Sequence, residues 1–260
     1  MPGSTSSKVK SAERALALLD LLSRLAEPVS TATIAEQLEL PKSSAHHLLN
    51  VMHARRFVAY WPDVRRWTLG VAALELGAAY RRTGHLEHAV ERHLKDLVER
   101  TGHTSHLAVL QGHDAVYLAK REPTNSGIRL VTDVGTRIPA HLTAVGRCLL
   151  AALDDDALAS LYRDYDWPQR TDTRITSVAA LKGVLDDVRA SGYAAEVGAT
   201  TDGIECIAAP VSVGDGTAVA AIGIARVAVT PASGRLIEAV RDAARAASAS
   251  LAGRADATAP

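Results

Sequence analysis

The hydrophobic pattern of the first 70 residues predicts three helices and a hairpin. Leucines and alanines over about 12–25 repeat at the spacing of one helix face, which predicts the first helix. Ser30 is a suitable N-cap for a short second helix, and the stretch 41–56, PKSSAHHLLNVMHARR, predicts a third. Two short apolar segments, 57–60 and 67–69, flank the turn WPDVRR and predict a two-stranded hairpin. Three helices followed by such a hairpin form a winged helix-turn-helix.

The third helix has one apolar face and one unusual polar face. Ala45, Leu48, Leu49 and Met52 have the i, i+3, i+4, i+7 spacing of a buried face. The opposite face carries short donors and acceptors, where a helix that only meets solvent more often carries Glu and Lys. Solvation alone is nevertheless the commoner fate of a polar helix face.

The helix-turn-helix context favours DNA over simple solvation. The second helix of this motif lies in the major groove, and basic residues nearby neutralise phosphates. We therefore expect DNA contacts from ten residues of the third helix and the wing: Lys42, Ser43, Ser44, His46, His47, Asn50, Arg55, Arg56, Arg65 and Arg66.

Charge is distributed unevenly, although the whole chain is neutral with 29 basic and 29 acidic residues. Residues 1–70 hold nine Lys or Arg and six Asp or Glu, a net charge of +3. Within 41–67, five basic residues accompany Asp63 as the single acidic residue. A compact positive field of this kind favours an anionic partner for the N-terminal part of the chain.

From residue 71 onward the pattern changes to helices and then to a mixture of short strands and helices. Helical spacing covers about 70–82 and 85–100. Strands are predicted at 104–110, 114–120, 127–133, 193–198, 205–213 and 218–227, and helices near 143–153, 178–191 and 231–251. The predicted class is α+β, with a winged helix-turn-helix (8–70), a linker helix (71–84) and a second domain (85–252).

Several spaced blocks resemble a known family. They are RALALLDLLS, STATIAEQLELPKSSAHHLLNVM, RRWTLG, HLTAVGRCLLA, GYAAEVGATTDGIECIAAPV and AVAAIGIA. In this order they resemble the IclR (isocitrate lyase regulator) family of bacterial transcription factors over about residues 8–252. The resemblance implies a DNA-binding winged helix-turn-helix, a linker helix that dimerises, and a C-terminal effector-binding domain related to GAF and profilin-like sensors. It also implies a palindromic operator in double-stranded DNA and a homodimer that pairs into a dimer of dimers, and it leaves open whether binding represses or activates.

The same resemblance implies an effector pocket between the sheet and the helix that opens at HLTAVG. Its residues would be Leu130, Ile138, Ala144, Val145, Glu196, Ile204, Cys206, Gly223 and Ala225. The first turn of that helix offers unpaired N–H groups and a positive dipole end, which suit a carboxylate. Glu196 would accept a hydrogen bond from a ligand hydroxyl or, in the simpler alternative, cap a neighbouring loop in solvent. We expect a small organic or aromatic acid, partly apolar, that carries a hydroxyl.

The chain departs from the family pattern at positions that bear on function. Glu39 stands where the family usually has Gly in a turn, which costs about 1 kcal/mol if the backbone there is left-handed. His47 replaces the usual Arg and removes one expected DNA contact. Gly223 and Ala225 stand where some relatives have hydroxyls, so that fewer polar groups hold the ligand.

The alternative class is a DNA-binding module fused to a catalytic domain that acts on a small metabolite. The chain contains no GxSxG, GxxxxGK[ST], GxGxxG or HExxH motif. Asp154, Asp155 and Asp156 precede the apolar run ALASLY and are expected to serve a helix N-terminus. We therefore expect no catalytic residues, no cofactor and no enzymatic activity.

Histidine and cysteine give weak signals. His85 and His88 share a helix start with Glu87 and Glu91, and the histidines at 93, 103, 106 and 113 fall on different segments. We therefore expect mostly solvated rings and no metal site, with a structural metal as the less favoured alternative. Cys148 is expected to be a small buried residue, and its distance in sequence from Cys206 suits neither a disulfide framework nor a zinc knuckle. Because no segment suits a signal peptide or a membrane span, we expect a cytoplasmic protein.

Overall fold

The computed structural model describes residues 9–25, 27–124, 132–171, 175–214, 216–230 and 232–257. The chain divides into two compact units, Met1–Gly84 and His85–Pro260. Among the described residues, no helix is both long and apolar enough to cross a membrane.

The first unit is a winged helix-turn-helix followed by one further helix. Its elements are α1 (Lys10–Leu25), α2 (Thr31–Gln37), α3 (Lys42–Ala54), β1 (Val58–Trp61), β2 (Arg66–Leu69) and α4 (Val71–Thr83). As predicted, Ser30 caps α2, because its hydroxyl accepts a hydrogen bond from the Thr33 N–H at 3.1 Å. Ile34, Leu49 and Trp67 are buried in one core that joins the helices to the hairpin. The predicted architecture is confirmed.

The turn after α2 holds Glu39 in the left-handed region, with φ of 50°. The Glu39 N–H donates to the carbonyl oxygen of Glu36 at 3.1 Å, and the Leu40 N–H donates to that of Ala35 at 2.8 Å. These two bonds form a Schellman motif, in which this position is usually Gly. The left-handed geometry expected for Glu39 is therefore present.

The wing is the hairpin of β1 and β2 with the turn 62–65 between them. Arg66 pairs with Trp61 in the strand register, so that only Arg65 lies in the turn, with φ of 53°. The prediction that both arginines lie at the tip is wrong for Arg66. The antiparallel pairing extends one residue further toward the turn than the apolar pattern indicated.

The second unit contains one antiparallel sheet between helices. Its elements are α5 (His85–Thr101), β3 (Thr104–Gln111), β4 (Asp114–Arg121), β5 (Arg137–Pro139), a 3₁₀ turn (Ala140–Leu142), α6 (Ala144–Ala151), α7 (Asp155–Leu161), α8 (Val178–Ser191), β6 (Ala194–Val197), β7 (Ile204–Ser212), β8 (Ala218–Val227) and α9 (Gly234–Ala257). The strand order is β5-β4-β3-β8-β7-β6. Helices α5 and α9 pack on one face of the sheet, and α6 packs on the other with α8 behind it. The predicted α+β class is confirmed.

Side-chain alternation along β7 decides what each face of the sheet carries. Ile207 packs into the core with α5 and α9, whereas Cys206 and Ala208 face α6. Small residues on the α6 face leave room between sheet and helix.

Two local predictions on this unit had different outcomes. The Asp154 carboxylate accepts a hydrogen bond from the Ala157 N–H at 2.7 Å and caps α7, which confirms the predicted cap. The strand predicted over 127–133 falls mainly outside the described residues, and 132 and 133 lie outside any strand. The unpredicted β5 pairs with β4 instead, and its three residues are too few to show alternation.

Candidate functional sites in the two units

The outer face of α3 presents a cluster of short polar side chains. The helix buries Ala45, Leu49 and Met52 as predicted. Ser44 is half-buried at the margin of the outer face. The predicted contact residues that are exposed on this helix are Lys42, Ser43, His46, His47 and Asn50.

His46 and Asn50 form a pair one helical turn apart. The Asn50 side-chain nitrogen Nδ2 lies 3.1 Å from His46 Nδ1. Because Nδ2 can only donate, this assignment makes Nδ1 the acceptor and places the imidazole proton on Nε2. The pair then presents an Nε2–H donor from His46, together with the Oδ1 acceptor and second N–H of Asn50.

The four arginines expected at phosphates differ in their surroundings. Arg56 has φ of 62°, and its guanidinium lies 3.5 Å from the Glu75 carboxylate. The Arg66 guanidinium donates to the carbonyl oxygen of Pro28 at 3.1 Å. Arg55 and Arg65 are exposed and have no ion-pair partner within the described part of the chain. All four remain exposed, so each can reach an anion.

The second unit contains a cavity of about 220 Å³ between the sheet and α6. A cavity of about 150 Å³ holds benzene, so this one accommodates a small ring with substituents. Leu130 lies outside the described residues. The other eight residues expected at an effector pocket all line this one cavity: Ile138, Ala144, Val145, Glu196, Ile204, Cys206, Gly223 and Ala225.

Glu196 is a buried carboxyl group in the wall of this cavity, with 5% of its surface exposed. Its Oε2 accepts a hydrogen bond from the Ala199 N–H at 2.8 Å, and the Cys206 thiol is a second partner. Among the described residues, its Oε1 has no hydrogen-bond partner. Burial raises the pKa of Glu196 above its usual value, against the opposing effects of these hydrogen bonds and of the Arg147 charge. Of the simpler alternative for Glu196, a cap in solvent, the cap at Ala199 is present and the solvent exposure is not.

The first turn of α6 has fewer free donors than expected. The Thr143 hydroxyl accepts a hydrogen bond from the Gly146 N–H at 2.9 Å, and the Arg147 N–H bonds to the Thr143 carbonyl. A Cβ at Gly146 would lie 2.2 Å from the carbonyl oxygen of Ala140, so glycine lets the helix approach the preceding turn. The other N–H groups of this first turn are those of Ala144 and Val145, and both residues line the cavity.

Gly223 does more than enlarge the cavity. A Cβ there would lie 2.6 Å from the carbonyl oxygen of Ile207 on the neighbouring strand. Position 223 therefore carries glycine, and no hydroxyl, because β7 and β8 approach each other closely there.

The sequence reasoning missed several polar residues that line the cavity. They are His106, Tyr117, Thr132, Thr136, Thr143, Arg170, Thr200 and Thr201. The alternation of side chains along β3 could have indicated that His106 faces the cavity. No pattern indicated Arg170, which lies in the irregular segment between α7 and α8.

His106 and Tyr117 are both buried in the cavity wall. His106 Nε2 lies 3.0 Å from Thr132 Oγ1, and burial lowers the pKa of His106 to about 3. Burial raises the pKa of the Tyr117 hydroxyl. Both groups are therefore neutral near pH 7.

The expectation of mostly solvated histidines is wrong. His93 and His106 are buried, and His103 and His113 are half-buried, because their segments pack in the core of the second unit. Within the described residues, no group of three or more His, Cys, Asp or Glu side chains is placed to hold a metal ion. Cys148 is buried as predicted, and its thiol donates to the carbonyl oxygen of Ala208 at 3.3 Å.

An exposed polar helix face in one unit and a cavity with both polar and apolar walls in the other are typical of a ligand-responsive DNA-binding regulator. Residues 11–62 match the IclR helix-turn-helix domain, and residues 78–249 match the C-terminal domain of IclR bacterial transcriptional regulators. The chain is 32% identical over 252 residues to the HTH-type transcriptional regulator BhcR of Paracoccus denitrificans, which covers 96% of this chain and 90% of BhcR.

Solved structures show the same fold. An IclR transcriptional regulator from Alicyclobacillus acidocaldarius superposes with a TM-score of 0.81 at 27% identity, covering 94% of this chain and 99% of that one. An IclR homologue from Microbacterium hydrocarbonoxydans, complexed with 4-hydroxybenzoate, has a TM-score of 0.77 at 22% identity, with coverage of 94% and 99%. This chain belongs to the IclR family of transcriptional regulators, with an N-terminal DNA-binding domain and a C-terminal effector-binding domain.

Proposed function

We propose that the chain binds a palindromic operator as a homodimer, and that a small hydroxy acid in the cavity of the second unit changes its affinity for DNA. The observation that carries this proposal is the orphaned Oε1 of buried Glu196 in the wall of an enclosed cavity. An unpaired buried oxygen costs about 1–3 kcal/mol, which a ligand hydrogen bond relieves.

The ligand class follows from the lining of the cavity. A hydroxyl both donates and accepts, so that it bonds to Oε1 whether Glu196 is ionised or protonated. The N–H groups at the start of α6 and the positive dipole end favour an anion. The cavity also offers apolar walls at Ile138, Val145 and Ile204. A small aromatic or partly apolar hydroxy acid satisfies all three of these requirements. The Microbacterium homologue is complexed with 4-hydroxybenzoate, which belongs to this class of acids, although its likeness to this chain shows the fold alone.

We assign DNA binding to the first unit and effector binding to the second. DNA contact is assigned to the ten predicted residues of α3 and the wing region. Effector contact is assigned to the nine residues predicted for the pocket, of which eight line the cavity and Leu130 lies outside the described residues. The boundaries 8–70, 71–84 and 85–252 describe the DNA-binding domain, the linker helix and the effector-binding domain. We propose that this cytoplasmic protein works by binding and release, without turning over its ligand.

Assembly is assigned to α4. Val71 and Leu74 are exposed on this helix, and 72% of the Leu74 surface is accessible in the single chain. Such a stripe is expected to pack on its copy in a second subunit, and two dimers are expected to join into a tetramer. The dimer's two-fold symmetry is the reason to expect a palindromic operator.

One experiment tests both DNA binding and its control by the effector. DNA selected by the purified protein from a random pool is labelled, and its release is followed by fluorescence anisotropy while a panel of carboxylic acids is added. Acids that change DNA affinity in the wild type should lose this effect in Ala144→Trp, which fills the cavity, while Ala144→Trp retains its DNA affinity. Survival of the acid effect in Ala144→Trp, or conversion of the acid to product, would contradict the proposal.

A further inference from the structure

Arg170 lies in a segment that is held on both sides. Before it, the Trp167 ring stacks on Tyr162, with ring centroids 4.8 Å apart and an interplanar angle of 14°. After it, the Thr171 hydroxyl donates to the carbonyl oxygen of Ala199 at 3.3 Å. The intervening Gln169 amide donates to the carbonyl oxygens of Trp167 and Ile175, at 3.0 and 2.9 Å. The backbone at Arg170 is therefore anchored beside the cavity.

The aromatic anchor connects this segment to the helix that borders the cavity. The imidazole of His141, in the 3₁₀ turn before α6, meets the edges or faces of Tyr162, Tyr165 and Trp167 at centroid distances of 5.3 to 6.4 Å. His141 is fully buried, and burial lowers its pKa to about 4. Because the His141 ring is neutral, its contacts with these aromatic rings are packing contacts. They fix the segment of Arg170 to the turn that precedes α6.

Arg170 is the one side chain of fixed positive charge among the described residues that line the cavity. It is exposed, and within the described chain no carboxylate lies at ion-pair distance from its guanidinium. His106, the other basic residue of the lining, is neutral because its pKa is about 3. Among the described residues of its lining, the cavity thus has one positively charged side chain, Arg170, and one carboxyl group, Glu196.

Both charged residues act on the same hydroxyl group. Burial is the main reason that the pKa of the Tyr117 hydroxyl is raised; Cys206 and Glu196 raise it further, and the charge of Arg170 opposes them. Arg170 lines the same cavity as Tyr117 and Glu196, and it is exposed to solvent.

We propose that Arg170 binds the carboxylate of the effector, while Glu196 Oε1 binds its hydroxyl. This inference rests on the proposed function of the cavity, and it moves the carboxylate from the first turn of α6 to Arg170. A guanidinium forms charge-assisted hydrogen bonds to a carboxylate, often in a bidentate arrangement. The first turn of α6 offers fewer donors, because the Gly146 N–H already donates to the Thr143 hydroxyl. The ligand would lie across the cavity with its acid group at the exposed guanidinium and its hydroxyl at the buried carboxyl group.

The experiment compares acids with their uncharged amides. The full-length protein is titrated by calorimetry with 4-hydroxybenzoate, 4-hydroxybenzamide, mandelate and mandelamide, at low and high salt. The wild type should bind at least one acid about 10- to 100-fold more tightly than its amide, as expected for hydrogen bonds between charged groups. Arg170→Gln should remove this preference and its salt dependence, and Arg170→Lys should keep part of both.

Arg163→Gln is the matched control, because Arg163 is an exposed arginine of the same segment outside the cavity lining. It should keep the full acid preference. An Arg170→Gln protein that retains the wild-type ratio of acid to amide affinity would overturn the inference and return the carboxylate to α6, with the cavity still the effector site. If no acid binds the wild type, or if Ala144→Trp binds acids unchanged, the proposed function itself fails.

Discussion

Glu196 and Cys206 lie directly opposite each other in the register of β6 and β7, and both side chains line the cavity. Burial and the neighbouring Glu196 keep the pKa of the Cys206 thiol well above its usual value, whereas the Cys206 thiol lowers the pKa of Glu196 and so opposes the effect of its burial. This pair therefore supplies hydrogen-bonding groups rather than a reactive thiolate.

The first prediction concerns pH and Glu196. A carboxyl group whose pKa is higher in the folded state stabilises the fold below its unfolded pKa, near 4.5, and loses this contribution as pH rises through the folded pKa. Glu196→Gln should therefore match the wild type most closely near pH 4 and gain stability relative to it as pH rises toward 8. Urea unfolding at several pH values measures the difference.

The exposed Glu99→Gln controls for the loss of a surface charge on α5. A Glu196→Gln protein that becomes less stable than the wild type as pH rises would contradict the raised pKa.

The second prediction concerns base preference. Because Asn50 donates to His46, each residue fixes the orientation of the other, and Asn is suited to bidentate contact with adenine. His46→Ala and Asn50→Ala should each cost about 1–3 kcal/mol at the preferred base, and the double variant should cost less than the sum. Selection from a random pool and titration with single-base variants give these values.

His53→Ala is a control from the same helix, since His53 Nδ1 lies 3.0 Å from the Val58 carbonyl oxygen and serves the fold. Additive costs for His46 and Asn50 would show that the pair does not act as a unit on DNA.

The third prediction concerns the wing. Arg65→Asn removes the charge and keeps a residue that tolerates the left-handed backbone. It should weaken binding to all duplexes alike and reduce the slope of log K against log salt by about 1, the value for one phosphate. Arg66→Ala should reduce the slope by less, because Arg66 is shared with the Pro28 carbonyl.

Fluorescence anisotropy at several salt concentrations gives the slopes, and Arg24→Ala on α1 provides the control. An unchanged slope for Arg65→Asn would place the wing away from DNA.

The fourth prediction concerns the turn after α2. Glu39→Gly should stabilise the first unit by up to about 1 kcal/mol, because glycine adopts the left-handed geometry without the steric cost of a side chain. Glu36→Gly, inside the same helix, should instead destabilise it by about 1 kcal/mol. Thermal or urea unfolding followed by circular dichroism distinguishes the two, and equal effects of both changes would refute the strain at Glu39.

The fifth prediction concerns assembly. Leu74→Lys should convert the wild-type dimer or tetramer to smaller species, because it places a charge in the expected apolar contact of α4. Sedimentation velocity at micromolar concentration measures this, with Leu16→Lys on α1, also an exposed leucine, as the control. A monomeric wild type would remove α4 as the dimer contact.

The sequence by itself determined the winged helix-turn-helix, the α+β class and the polar face of α3. These follow from local rules, since the 3.6-residue period, the N-caps at Ser30 and Asp154 and the turn at Glu39 are properties of neighbouring residues. The resemblance to the family supplied the cavity residues, and the eight that the structure describes do share one cavity.

Only the tertiary structure decided the burial of Glu196, the place of Arg66 in a strand and the presence of Arg170 at the cavity. Each depends on segments far apart in sequence. Glu196 on β6 lines the cavity between the sheet and α6, the Arg66 guanidinium bonds to the Pro28 carbonyl, and the segment of Arg170 is held by aromatic packing and by Ala199. Such contacts are set by how elements pack together, which periodicity within one segment does not encode.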